Sequence, residues 1–228
     1  MIRFADVSDL SVTKNDSESY KNIVPSEKMT NREANDFWKA EFLKLQRENV
    51  LDSFDVSLFD IYDCRDDEIE INFEVDDKLQ MILDKFDLNN WDKLSETERM
   101  QIVEEFAKAL GEKIGLNRSP DILFFYSKDD GEGYYDVAEN VLGINKAYLD
   151  DPKETIDTIA HEYRHMYQLM RAEVLETRED ALFKLNLENY ISPVNSDNSF
   201  FLYLDYYDQY IEADARAFAN KLTEAMGQ

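Results

Sequence analysis

Apolar residues recur every three or four positions over several stretches of this chain, which is the spacing of one face of an α-helix. Four residues of types that commonly cap helix N-termini, Thr30, Ser95, Asp151 and Thr177, precede such stretches. After Thr30 and after Ser95, a glutamate in the third following position completes a capping box. The predicted helices cover about residues 31–50, 78–86, 95–115, 152–170, 177–190 and 206–226.

Other stretches favour strands. Residues 68–75 alternate polar and apolar side chains, as a half-buried strand does, and residues 121–126 form an apolar run between turn residues. Residues 133–136 and 141–145 are predicted to form a hairpin that closes around Asn140. The sequence therefore predicts a helix-rich α+β fold with a small mixed β-sheet packed beside the helix that follows it.

Composition fits this fold class. The chain has 228 residues, 43% of them hydrophobic, with 14 Phe and 13 Tyr, which is enough for one well-filled core with an extension. Only 6 Gly and 4 Pro are present, which favours long helices over many tight turns. Residues 1–29 are polar and are interpreted as a loose arm. We predict an N-terminal extension or helical subdomain with one strand at 1–94 and a main domain at 95–228.

The charge balance limits the partners. There are 50 acidic residues against 25 basic ones, a formal net charge of −25. This charge disfavours binding to nucleic acid or to anionic membranes, because both need a basic surface. The single cysteine, Cys64, excludes an intrachain disulfide and fits a reducing compartment. No run of 18 apolar residues occurs, and acids interrupt the N-terminus too early for a secretory signal, so we expect a soluble, cytoplasmic protein.

Both histidines of the chain lie in one pentapeptide, His161-Glu162-Tyr163-Arg164-His165, inside a predicted helix. Residues four apart share a helical face at a separation of about 5–6 Å, close enough for two imidazoles to bind one zinc ion. Glu162 lies beside this pair, where its carboxylate can accept a proton from a zinc-bound water. The pattern therefore indicates zinc-dependent hydrolysis. The alternative is a chance match on a charged helix whose His and Glu side chains only face water.

Two histidines do not complete a catalytic zinc site, which commonly has three protein ligands. The sequence contains no further histidine and no cysteine cluster, so we expect the third ligand to be an acid. Glu212 is the first choice because it shares a predicted helical face with Ala215 and Ala219, and small residues let two helix backbones approach. Glu188 is the second choice. In the alternative interpretation, Glu212 is a solvated residue of an alanine-rich helix.

The histidine motif, the acid at Glu212 and the hairpin before the motif helix resemble the zincin-like metallopeptidases, in particular their gluzincin branch, over about residues 95–226. The resemblance implies a zincin-like fold and zinc metallopeptidase activity for that part of the chain. The gluzincin pattern has an aspartate four residues after the third ligand, where this chain has Arg216. Asp214 and Asp157 are candidates to orient a histidine in its place.

The resemblance also implies that the two histidines and Glu212 bind Zn²⁺ and that Glu162 is the catalytic base. Tyr206, Tyr210 and Arg164 are candidates, by position alone, to stabilise the transition state. The expected partner is a peptide or protein substrate. In zincin-like enzymes an extended substrate pairs with an edge strand beside the motif helix, and the matching residues here are Val141, Leu142, Gly143, Ile144 and Asn145.

Two other functions stay open at this point. The chain could be a catalytically inactive, acidic interaction protein that captures a basic partner or mimics nucleic acid, with a vestigial motif. The zinc site could also be purely structural. A structural site normally closes its fourth position with a side chain and needs no base beside a ligand, so Glu162 distinguishes the two kinds of site. The intact motif favours the enzyme.

Overall fold

A computed structural model of the protein describes residues 2–3, 54–128, 131–192 and 200–226. The helix predicted at 31–50 lies outside these residues, and so does the predicted arm apart from Ile2 and Arg3.

Helices dominate the described chain, which confirms the helix-rich α+β fold class. Short 3-10 helices form at Leu58–Ile61, Asp66–Glu68, Asp84–Phe86 and Lys146–Tyr148. The α-helices are α1 (Asp77–Leu83), α2 (Leu88–Trp91), α3 (Glu96–Ile114), α4 (Pro152–Val174), α5 (Arg178–Glu188), α6 (Phe200–Tyr207) and α7 (Tyr210–Glu224).

The predicted capping residues begin helices α3, α4 and α5. The Ser95 side chain accepts a hydrogen bond from the backbone N–H of the third residue after it, which starts α3. Asp151 caps α4 in the same way, with a proline at the first helical position, and Thr177 caps α5. Helix α3 ends at Gly115, whose φ of 75° lies in the left-handed region that glycine adopts easily.

The sheet has four strands in the order β1-β3-β4-β2, with parallel and antiparallel pairs. The predicted hairpin is confirmed: β3 (Gly133–Asp136) runs antiparallel to β4 (Val141–Asn145), and Asn140 in the turn has a positive φ of 53°. Strand β2 (Asp121–Phe125) pairs in parallel with β4, and the two-residue β1 (Ile2–Arg3) pairs in parallel with β3. Helix α4 packs against β3 and β4, so the sheet lies beside the motif helix as predicted.

The prediction that Val141, Leu142, Gly143, Ile144 and Asn145 form an edge strand is wrong. Strand β4 is hydrogen-bonded to a neighbour on each side, to β3 and to β2. Four of its five residues are buried, as is typical of an inner strand that is covered on both faces. Strand β3, which packs against α4, has the two-residue β1 on its other side, so β1 and not β4 lies at this edge of the described sheet.

The prediction of a strand at residues 68–75 is also wrong. The side chains of residues 69–75 alternate in burial, but these residues pair with none of the described strands, and the Phe73 N–H donates to the Ile71 carbonyl at 3.1 Å in a tight turn. They cover helix α7: the Phe73 ring packs edge-on against Phe218 with centroids 5.0 Å apart, and Lys221 Nζ donates a hydrogen bond to the Ile71 carbonyl at 2.6 Å. Alternation therefore identified the half-buried side chains correctly, but the residues form no strand, and their burial comes from a helix.

The predicted boundary at residue 94 does not coincide with a break in the core. One cluster of buried side chains includes residues from 71–91 together with residues from α3, α4, α7 and the sheet. Trp91 lies inside it, stacked on Phe86 with ring centroids 4.8 Å apart, and its indole N–H donates to the Leu149 carbonyl at 2.7 Å. Residues 71–91 thus belong to the same packed unit as the motif helix, whereas Val56, Leu58 and Ile61 pack in a smaller cluster with α5.

The final helix, predicted as one piece over 206–226, is divided into α6 and α7. The break is at Asp208 and Gln209, although neither is a glycine or proline. The Gln209 side chain is fully buried and donates to the Tyr206 carbonyl at 3.0 Å, while Arg216 Nη1 donates to the Tyr207 carbonyl at 2.8 Å. Side-chain hydrogen bonds thus satisfy the carbonyls at the end of α6. Within the described ranges, no helix combines the length and apolar character needed to cross a bilayer.

Replacing Trp91 with alanine tests whether residue 91 belongs to the same core as the motif helix. We expect a loss of about 3–5 kcal/mol in the free energy of unfolding, because a fully buried indole and its hydrogen bond are removed. The measurement is urea denaturation followed by far-UV circular dichroism. Tyr126, which is 63% exposed, provides the matched control, and Tyr126→Ala should change stability by no more than about 0.5 kcal/mol. Equal effects of the two substitutions would contradict a core that includes residue 91.

Candidate metal centre

Helix α4 brings the two histidines to one face, one turn apart, as the motif predicts. Their Nε2 atoms point at each other at 3.0 Å, and the two rings meet edge to face with centroids 4.6 Å apart. His165 is completely buried, whereas the His161 side chain is 18% exposed. The pair is therefore accessible from the side of His161.

Helix α7 supplies the third member. Its most extensive helix neighbour is α4, and Ala215 and Ala219 are fully buried at this close approach. Glu212 is buried on the same side, and its Oε2 lies 3.3 Å from Nε2 of His161 and 3.6 Å from Nε2 of His165. Ligand atoms of these three residues all lie within 4.8 Å of one another, so the group could hold a metal ion.

The separations within this group fit a tetrahedral ion. Zinc binds nitrogen and oxygen ligands at about 2.0–2.1 Å, so two ligand atoms on a tetrahedral zinc are about 3.3 Å apart. The observed separations are 3.0 Å between the imidazole nitrogens and 3.3 and 3.6 Å from them to the carboxylate oxygen. Two nitrogens and one oxygen are also a donor set that zinc accepts.

Glu188, the second choice for the third ligand, lies elsewhere. Its side chain is 44% exposed and forms an ion pair with Lys184 on the same helix at 3.5 Å. It is not part of the metal-binding group.

The buried charges in the group depend on one another. Burial raises the pKa of the Glu212 carboxyl, but the adjacent His165 and His161 outweigh it and hold the pKa well below its usual value. Burial lowers the pKa of His165, and the Glu212 carboxylate reverses this, so that the pKa lies above its usual value. The carboxylate thus favours a cation beside His165, which can be a proton or a metal ion.

Glu162 follows the first histidine and is 2% exposed. Burial raises the pKa of its carboxyl, and the charges around it, including those of His161 and His165, bring the pKa below the usual value. The residue predicted as a base is therefore held as a carboxylate next to the two imidazoles.

Two tyrosine hydroxyls meet the Glu212 carboxylate. Tyr206 donates to Oε2 at 3.1 Å, and Tyr190 donates to Oε1 at 3.0 Å. Burial, followed by the negative charge of Glu212, raises the pKa of both phenols, so both stay protonated and able to donate. Tyr206 was a candidate from the sequence. Tyr190 was not, because nothing in its local pattern distinguishes it among 13 tyrosines.

Arg164 and Tyr210 do not contribute to the group as predicted. The Arg164 guanidinium is buried and binds both oxygens of Asp214, from Nε at 2.7 Å and from Nη2 at 2.8 Å, and it also contacts Glu179 at 3.1 Å. The Tyr210 ring packs against Phe183 with centroids 5.8 Å apart. Both residues therefore stabilise the packing of α4, α5 and α7.

The sequence analysis did not identify Gln168, the residue that contacts His165 on the Nδ1 side of its ring. The Gln168 Oε1 atom lies 2.8 Å from Nδ1 of His165, and the amide nitrogen of Gln168 donates to Asp214 Oδ2 at 2.6 Å. Asp214 thus reaches the histidine through Gln168 and not directly. Asp157 lies on α4 one turn before His161, where burial raises the pKa of its carboxyl and His161 lowers it.

The comparison found no protein-family model, no curated protein and no solved structure that matches this chain. The resemblance to zincin-like metallopeptidases therefore stays a prediction from the sequence.

Metal analysis of the purified protein tests the ligand set. We expect one zinc ion per chain in the wild type, and none in His165→Ala or Glu212→Ala, because each removes one of three ligands. Glu188→Ala is the control: it also removes a glutamate carboxylate, but one outside the metal-binding group, and it should keep the zinc. Inductively coupled plasma mass spectrometry after dialysis gives the ratio. Zinc retained in Glu212→Ala would contradict the assignment.

Proposed function

We propose that this protein is a zinc-dependent hydrolase, most simply a zincin-like metallopeptidase of the gluzincin type that cleaves peptide bonds. The observation that carries the proposal is the buried group of His161, His165 and Glu212 with Glu162 directly beside it. Three protein donors leave a fourth position of a tetrahedral zinc ion for water or substrate, as in catalytic sites. A structural site normally closes that position with a side chain.

When zinc is bound at such a site, it lowers the pKa of a water molecule and polarises a carbonyl group. In the proposal, Glu162 accepts the proton from the attacking water and later delivers it to the leaving amine. Its lowered pKa keeps it in the carboxylate form that a base needs. Its burial keeps bulk water from competing for that proton.

The two tyrosines would have different roles. Tyr190 binds Oε1, the oxygen of Glu212 that is turned away from the imidazoles, and so fixes the orientation of the carboxylate. Tyr206 binds Oε2, the oxygen that both imidazoles face. Its hydroxyl therefore lies next to the metal position, where it can exchange its hydrogen bond to Oε2 for one to the oxyanion that forms on the scissile carbonyl.

A peptide substrate is supported by the sheet. Strand β3 packs against α4, and its pairing with the two-residue β1 is the kind of backbone pairing that an extended peptide substrate would make. The formal charge of −25 favours neutral or basic substrates and disfavours nucleic acids and anionic membranes. One cysteine, Cys64, fits the cytoplasm, and we include that location in the proposal.

Glu162→Gln tests the reaction. We expect zinc content and thermal stability to match the wild type, because the amide is the same size, while hydrolysis falls by at least about 100-fold because the amide accepts no proton. The measurement is cleavage of a quenched fluorogenic peptide library by zinc-loaded protein. Glu173→Gln, an exposed position on the same helix, makes the same change of charge and should leave hydrolysis unchanged.

The outcome also decides between the proposed enzyme and the acidic interaction protein. Hydrolysis that survives in Glu162→Gln would reject Glu162 as the base. Zinc-loaded wild type that cleaves no peptide in the library would reject the peptidase and direct attention to capture of a basic partner.

The tyrosine roles lead to a separate prediction. In Tyr206→Phe we expect kcat to fall by about 100-fold with KM little changed, since the lost hydroxyl acts in the transition state. Tyr190→Phe also removes a hydroxyl that donates to the Glu212 carboxylate. We expect it to weaken zinc binding and to lower kcat of the zinc-saturated enzyme less than Tyr206→Phe does. Steady-state kinetics at saturating zinc measures both. Equal falls in kcat would contradict the division of roles.

A further inference from the structure

The side chain of Gln168 lies between the two helices that carry the metal ligands. It belongs to α4, three residues after His165, and is fully buried. Its oxygen lies 2.8 Å from Nδ1 of His165. Its nitrogen donates to the Ile211 carbonyl at 2.9 Å and to Asp214 Oδ2 at 2.6 Å, both on α7.

These contacts determine which way the amide points. Its nitrogen has two N–H donors, and both have an acceptor. If the amide were turned over, its oxygen would face a carbonyl and a carboxylate, two acceptors, in a site without exposure to water. Only the oxygen can therefore face His165.

An amide oxygen is purely an acceptor, so the imidazole must supply the proton for this hydrogen bond. We infer that Gln168 is a positioning residue that keeps the proton of neutral His165 on Nδ1 and thereby turns the Nε2 lone pair toward His161 and Glu212. The inference rests on the proposed metal site, whose ligand it prepares, but the tautomer is a property of the metal-free protein as well.

The position of the amide is itself fixed by charge. Asp214, the acceptor of one of its N–H groups, is held by two hydrogen bonds from Arg164. The Arg164 guanidinium lies over three aromatic rings, at 4.6 Å from the centroid of Tyr167, 5.6 Å from Phe183 and 5.4 Å from Phe218. A buried ion pair in an aromatic cage cannot shift without breaking several contacts, so the acceptor offered to Gln168 is rigid.

The same amide also sets the position of the third ligand. Ile211 and Asp214, which accept its two hydrogen bonds, lie on either side of Glu212 in α7. Gln168 therefore connects the ring orientation of His165 with the placement of the Glu212 carboxylate. Partners of this kind behind a metal-binding histidine typically contribute a factor of about 10–100 in metal affinity.

Nuclear magnetic resonance of ¹⁵N-histidine-labelled protein tests the inference directly, because the chain has only 2 histidines. In metal-free wild type, we expect the neutral form of His165 to show a protonated Nδ1 and an unprotonated Nε2. In Gln168→Met, which has similar size and no acceptor of comparable strength, we expect a mixture of tautomers. Chelator competition should show zinc affinity lower by about 10–100-fold.

Gln209→Met is the matched control for loss of a buried amide. Gln209 is fully buried too and makes hydrogen bonds to Asn186, Ile191 and Tyr206, but none to a histidine. It should lose stability while His165 keeps its Nδ1 proton. Gln168→Glu is a second test, since a carboxylate preserves the acceptor for His165 but lacks both donors. We expect Gln168→Glu to keep the Nδ1 tautomer of His165 and to lower the free energy of unfolding, because its carboxylate faces that of Asp214.

An unprotonated Nδ1 in wild-type His165 would overturn the inference even if no variant folds. So would a Gln168→Met protein that keeps both the single tautomer and wild-type zinc affinity. Failure of the proposed function looks different: the tautomer would be as expected, but the zinc-loaded protein would cleave no peptide.

Discussion

The close approach of α4 and α7 is the constraint on which the rest of this structure depends. The buried alanines of α7 let the two backbones come together, and the acids between those alanines are carried into the interior. Glu212 and Asp214 are 1% and 0% exposed. A buried carboxylate is costly unless it is paired and hydrogen-bonded, so each of these two requires cationic or donor groups from α4.

The two acids are compensated in different ways. Asp214 is paired with Arg164, a residue that stays charged, in a geometry that uses both oxygens. Glu212 faces two imidazoles, which are neutral unless they bind a proton. The first pair is complete within the protein, whereas the second changes its charge with what is bound. This difference explains why one acid stabilises the helix pair and the other is suited to hold a cation.

Local signals in the sequence were sufficient for the elements that carry the ligands. These signals depend on neighbours a few residues away: the caps at Asp151 and Thr177, the spacing of the two histidines, and the alanines near Glu212. The structure has both caps, and it brings the two histidines and Glu212 together. Contacts between distant segments were not accessible in this way. The pairing of β4 with β2, the helix that covers residues 69–75 and the tyrosine that follows α5 all depend on how remote elements pack.

Arg216 stands where the gluzincin pattern has an aspartate, and it makes contacts of a different kind. Its guanidinium lies 3.5 Å from the centroid of the Tyr207 ring and donates to the Tyr207 carbonyl, so it stabilises the end of α6. That end carries Tyr206, which contacts Glu212. The residue four positions after the acid therefore supports a tyrosine and not a histidine. The task of orienting His165 falls to Gln168 instead, because it lies on the same helix as the histidine, within reach of its Nδ1.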